Sequence, residues 1–162
     1  MQDHASFVMQ SAAPLMSRLR GLTPEQVPAA FQGFSEDEQM LFLFASLVSH
    51  GQDGLSGCGQ ELPHRLASPS FWEALRGAFQ RLEDEDMLDL IDRWHVAVQP
   101  ALPADGSDVS NDAEAMFRVR DRLARLDPAT MAVLDGDFRL LLPAAQERMA
   151  RYLRARKTSI RA

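Results

Sequence analysis

The sequence predicts an all-α fold, a single compact domain of about seven or eight helices with no sheet, on three observations. Helix-start signatures recur from end to end, apolar residues repeat at spacings of three and four, and no stretch alternates apolar and polar residues long enough for a strand. At 162 residues one domain is expected, and 46% hydrophobic with 25% charged residues is an ordinary globular composition.

The elements follow in order. A first helix is expected over 4–20, kinked or divided at Pro14, where an amide donor is missing. A second, over 24–32, opens at Thr23-Pro24-Glu25-Gln26 and stops at Gly33, placed where a residue of positive φ would end it. The third, over 36–49, begins with Ser35-Glu36-Asp37-Glu38. That is a capping box, in which the Ser oxygen accepts from the amide three residues on and the Glu reaches back. Residues 50–69 crowd Gly51, Gly54, Gly57 and Gly59 together and read as a flexible or tightly turned surface loop.

Ser70-Phe71-Trp72-Glu73 opens a helix over 70–81, and Met87-Leu88, Ile91, Trp94-His95 and Val98 define one over 84–98. Residues 99–111, with Pro100, Pro103 and Asp105-Gly106-Ser107-Asp108, read as an exposed linker at which the chain is open to subdivision. Asn111-Asp112-Ala113-Glu114 starts a helix over 112–126, and Asp127-Pro128 starts one over 128–135 that Gly136 would end. A last helix, over 143–157, carries Met149, Tyr152 and Leu153 at i, i+3 and i+4, a stripe to dock it on the body.

Cys58 is the sole cysteine, which excludes an internal disulfide. The start Met1-Gln2-Asp3-His4 has neither a basic region nor a long apolar run, and the longest apolar stretch, 40–45, is far short of a membrane span. A cytoplasmic protein without membrane contact is therefore expected.

Charge is unevenly distributed. The chain carries −6 overall, yet its end holds Arg148, Arg151, Arg154, Arg156, Lys157 and Arg161 against Glu147, a local +5 that leaves −11 on residues 1–146. An acidic body repels nucleic acid and attracts basic surfaces. Glu83-Asp84-Glu85-Asp86, continued by Asp89 and Asp92, is the densest acidic run, and Glu85, Asp89 and Asp92 share one helix face at i, i+4 and i+7. Two readings stand side by side: a solvated helix face favoured by the dipole at its N-terminus, and a docking stripe for a basic partner. His50 and Asp53 of the glycine-rich segment join Glu83, Asp84, Glu85, Asp86, Asp89 and Asp92 as candidate partner-binding residues.

That segment also offers Cys58 and, nearby, His64. Zinc would call for C-x-x-C or H-x-x-x-H pairs, and neither occurs, so no metal or other cofactor is expected. A Cys58/His50 or Cys58/His64 nucleophile is the enzymatic alternative. A helical adaptor with no charge-led role is the third reading.

Glu38-Gln39-Met40-Leu41-Phe42-Leu43-Phe44-Ala45-Ser46-Leu47-Val48 running into His50-Gly51, and the closing Leu126-Asp127, Phe138 and Arg151-Tyr152-Leu153, together resemble the bacterial DNA-mimic protein family over about residues 36–155. The chain departs from the family pattern at Gln52-Asp53, where a second glycine and an aromatic would stand. The resemblance implies a small, acidic, all-helical, non-enzymatic protein that occupies the DNA-binding face of a regulator, often as a dimer. The expectation drawn is an acidic, non-enzymatic inhibitor of a basic protein, either a DNA-binding regulator or a toxic effector. It would make no direct contact with nucleic acid, and a homodimer is left open.

Overall fold

In a computed structural model, residues 3–160 are described except Pro24, without the side chains of 157–160. Pro24 of the second helix-start motif, the Lys157 side chain and Arg161 of the basic end lie outside the described residues. Nine α-helices and one 3-10 turn form among the described residues, with no strand.

The most apolar helix becomes the centre. In α3 (Glu36–His50) eight successive residues, Met40–Leu47, are buried, so neighbours cover it on all sides. The Ser35 capping box forms as expected: Ser35 Oγ accepts from the Glu38 amide at 3.2 Å, and Glu38 Oε2 accepts from the Ser35 amide at 2.8 Å. Helix α1 (His4–Leu19) packs on α3 through Val8, Ala12 and Leu15, and Asp3 accepts from the Ser6 amide at its start. Pro14 does not divide α1. Its ring lies on the exposed face, so the helix continues past the missing donor. The short α2 (Val27–Gln32) ends at Gly33 with φ −75°, not in the left-handed region. Gly21 instead holds the positive φ, +83°, after α1.

The glycine-rich segment is not a surface loop. It folds into α4 (Leu55–Glu61) and α5 (Pro63–Leu66), with Leu55, Cys58, Gly59, Pro63 and Leu66 buried. Its glycines are small where backbones approach. A Cβ on Gly51 would stand 2.6 Å from the Leu47 carbonyl oxygen, and one on Gly57 2.8 Å from that of His50. Gly57 thus permits close packing of α4 on the end of α3, and Gly51 leaves room for the Phe138 ring.

Helix α6 (Pro69–Arg81) starts one residue before the expected Ser70 and packs on α3, with Phe79 against Phe44, while Trp72 meets Trp94 and His95 of the next helix. Helix α7 (Glu85–Val98) follows, capped by Asp84, and runs into the 3-10 turn Gln99–Ala101. Ala101 and Val109 of the 99–111 connection are buried in the same apolar cluster as the helices on either side. Helix α8 (Ala113–Ala124) is capped by Asp112, not by Asn111, and lies against α4 and α5.

The largest departure from the sequence expectation is at the C-terminal end. Residues 128–135 and 143–157 belong to one helix, α9 (Pro128–Ile160), with Gly136 and Pro143 inside it. Interior Gly and Pro cost about 1 and 3 kcal/mol against Ala. Burial of Leu134, Phe138, Ala145 and Met149 along the same helix outweighs that, since each large apolar side chain contributes about 1.5–3 kcal/mol. At 33 residues α9 is about 50 Å long and touches α4 and α7 in its first part and α1 in its second. The expected docking stripe forms: Met149 is buried, Tyr152 and Leu153 are half-buried, and the Tyr152 hydroxyl donates to Asp37 at 2.6 Å.

Candidate functional site

The acidic run divides into structural and surface members. Asp84 is 4% exposed, and its carboxylate accepts from the Met87 amide at 3.2 Å as the N-cap of α7. Arg148 of α9 approaches it to 3.7 Å. The side chain is turned inward by the corner that Leu82 and Met87 bury, so Asp84 is no surface contact, contrary to its place among the partner-binding candidates. Glu83 makes the corner with φ 53°, and its carbonyl accepts from Arg148 at 3.1 Å.

Glu85, Asp89 and Asp92 do share one exposed face of α7. Asp89 accepts from Arg93 Nε at 2.8 Å, and Arg93 also donates to Asp137 of α9 at 2.8 Å. The hydrogen bond that Arg93 donates to Asp137, foremost, and then the one to Asp89 hold its guanidinium above its ordinary pKa. Asp92 accepts from Arg76 Nε of α6 at 2.5 Å, and Arg76 also meets His95 Nδ1 at 2.8 Å. Burial, then the Arg76 charge, lowers the His95 pKa, so a neutral imidazole stacks on Trp72 at 4.3 Å and accepts from Arg76. Glu85 and Asp86 enter no ion pair among the described residues.

Beside these carboxylates lie apolar side chains that the sequence reading left out. Val96 continues the stripe at i+11 from Glu85 and is 67% exposed, while Val133 and Leu140 on α9 are 60% and 79% exposed. Helices α7 and α9 run antiparallel here, since Arg93 pairs with Asp137 and Arg148 reaches back to Asp84. Between them opens a groove of about 580 Å³ lined by Asp92, Arg93, Val96, Ala97, Thr130, Val133 and Leu134. One face therefore has acids toward the start of α7 and apolar side chains toward its end. A valine at a polar stripe's next turn was the available signal for Val96. Leu140 was hidden because the helix carrying it was expected to end at 135, and Val133, inside that helix, gave no sign that α7 would be its neighbour.

His50 and Asp53 lie elsewhere. The His50 imidazole pairs with Glu61, and the Asp53 carbonyl accepts from Arg139 at 2.7 Å on the flank of α9 that faces α4. They do not join the α7 stripe. Cys58 is fully buried, and burial pushes its thiol up to about 12, so it is no thiolate at neutral pH. Burial also lowers the His64 pKa. Among the described residues no group of three or more His, Cys, Asp or Glu side chains is arranged to hold a metal ion, and no helix is long and apolar enough to cross a membrane. Compared with protein-family models, with curated proteins and with solved structures, the chain matches none.

Proposed function

We propose that this chain is a non-enzymatic docking protein that binds a basic protein partner through the α7/α9 face and inhibits it by covering its surface. The observation that carries the reading is the exposure of Val96 and Val133, which line the α7/α9 groove together with Asp92, the last acid of the α7 stripe. Large apolar side chains so exposed cost solubility unless a partner covers them, and the acids beside them select a basic one. The net charge of −6 adds long-range attraction for such a surface.

Two kinds of partner fit: a DNA-binding regulator, with the chain acting as a DNA mimic, or a toxic effector, with the chain acting as its antitoxin or immunity protein. The apolar anchors favour the effector form, because a row of phosphates has no counterpart to Val133 or Leu140. Pairing of Asp89 and Asp92 with Arg93 and Arg76 also leaves the carboxylate row short for imitating duplex DNA, which carries a charge about every 1.7 Å.

The test places a photocrosslinking amino acid at position 96, or at the exposed control position Glu114, and irradiates the native cells. A basic protein crosslinked at 96, absent at 114 and lost on Leu140→Asp, supports the reading. Crosslinking of acidic proteins, or of the same proteins at both positions, refutes it. Competition of the captured partner by DNA separates the regulator from the effector form.

A further inference from the structure

On the opposite flank of α9 from the groove lies a cavity of about 470 Å³, closed by α4, α7, the end of α8 and the start of α9. Its walls are mostly apolar, with Leu55, Val98, Leu123, Leu126, Met131 and Ala132 among them, and Ser56 and Gln60 add polar groups. That volume falls within the range of small-molecule sites, about 300–1,000 Å³. Trp94 forms part of the wall, is 1% exposed, and has an indole N–H that meets no acceptor among the described residues.

The charged residues that line the cavity are Asp53 and Asp135, and no Arg, Lys or His lines it. Asp135 is fixed: its two oxygens accept from the Ser56 amide at 2.9 Å and the Ser56 hydroxyl at 2.7 Å, which ties α4 to α9. A Cβ on Gly54 would stand 2.5 Å from Asp135 Cγ, so the glycine makes room for that carboxylate. Asp53 is exposed at the same rim, and its side chain enters no hydrogen bond or ion pair among the described residues, while Arg139 is held on its backbone carbonyl.

We propose that this cavity binds a small organic cation with an apolar body, such as an arylalkyl amine, its ring against Leu123, Met131 and the Trp94 wall and its ammonium at Asp53. Carboxylates at the rim favour a cation there and repel an anion, while the apolar walls exclude a bare metal ion, which they cannot coordinate. Ligand preference thus follows head-group charge at constant apolar body.

The chain carries two tryptophans, and each gives one indole N–H resonance that a Trp→Phe variant assigns. Trp72 donates to the Leu66 carbonyl at 2.8 Å and does not line the cavity, but its ring lies 4.9 Å from that of Trp94, so it should follow Trp94 with a smaller shift. The protein is titrated with 2-phenylethylamine, 2-phenylethanol and 3-phenylpropanoate, followed by nitrogen–proton correlation spectra. The amine should shift the Trp94 resonance saturably and that of Trp72 less, with the alcohol at least tenfold weaker and the carboxylate without effect. Asp53→Asn should weaken the amine about tenfold and leave the alcohol unchanged, and Ala132→Trp should abolish both. The proposal is overturned by an amine titration that moves neither indole or both alike, by alcohol or carboxylate binding as tightly as the amine, or by an Asp53→Asn protein of unaltered amine affinity.

Discussion

Gly54 shows how one residue couples two distant segments. Its φ of +106° is unfavourable for any side chain, and its missing Cβ leaves the space that Asp135 occupies to reach Ser56. Gly54→Ala combines backbone strain of about 1–2 kcal/mol with damage to charge-assisted hydrogen bonds worth about 1.5–3 kcal/mol. A loss near 3 kcal/mol is expected in urea unfolding, and a variant as stable as the wild type would contradict the packing described. Cys58 makes a residue-scale prediction about pH. Its thiol has an ordinary value of 9.0 and is raised by burial to about 12, so the folded state retains the proton longer than the unfolded chain. The contribution is complete below pH 9 and is lost as pH rises toward 12. At pH 10 the loss should be about 1 kcal/mol. Urea unfolding at pH 8 and pH 10 checks it: the wild type should weaken by about that much more than Cys58→Ala.

At the scale of elements, legibility followed the local signals. The α3 boundary was readable because Ser35 and Glu38 bind each other's amides within one turn. The faces of α6 and α7 were readable because their apolar residues repeat with the helix. Two features were not. The glycines of 51–59 carry the composition of a loop, but Gly51, Gly54 and Gly57 stand where Phe138, Asp135 and the His50 carbonyl come close, an approach that spacing alone does not reveal. Gly136 is a local stop signal and Pro143 reads as a new helix start, and tertiary packing of Phe138 and Met149 overrides both. Of the candidate site, the Glu85-Asp89-Asp92 face was legible, whereas the inward turn of Asp84 and the apolar partners on α9 depend on which helices become neighbours. Pro143 leads to a prediction at this scale. Its ring is exposed, so replacing it removes little packing and returns an amide donor to the middle of α9. Pro143→Ala should stabilise the protein by about 1–3 kcal/mol, visible as a higher melting temperature. A drop would show that the helix needs the proline's geometry.

At the scale of the whole molecule, the opposing charges along the chain meet one another. Arg156 lies 3.5 Å from Asp37, Arg148 approaches Asp84 to 3.7 Å, and Arg154 sits 4.6 Å over the Phe7 ring. The basic end is thus folded onto the acidic body, and the acids left facing outward on α7 stand beside exposed apolar side chains. On the proposed docking face these two components act on different rates. Outward charges steer the encounter, so Glu85→Gln, Asp89→Asn and Asp92→Asn together should slow association and flatten its dependence on salt, with dissociation little changed. Stability should fall by only about 1 kcal/mol, because the pairs to Arg93 and Arg76 are largely exposed. The apolar anchors are in contact only once the complex has formed. Val133→Ser with Leu140→Ser should therefore speed dissociation and leave association and its salt dependence as in the wild type. Surface plasmon resonance with the crosslinked partner, at two ionic strengths, measures both rates for both variants. If the acidic variant were instead altered in dissociation alone, the stripe would be a solvated helix face and the partner would be held by apolar contact without electrostatic selection.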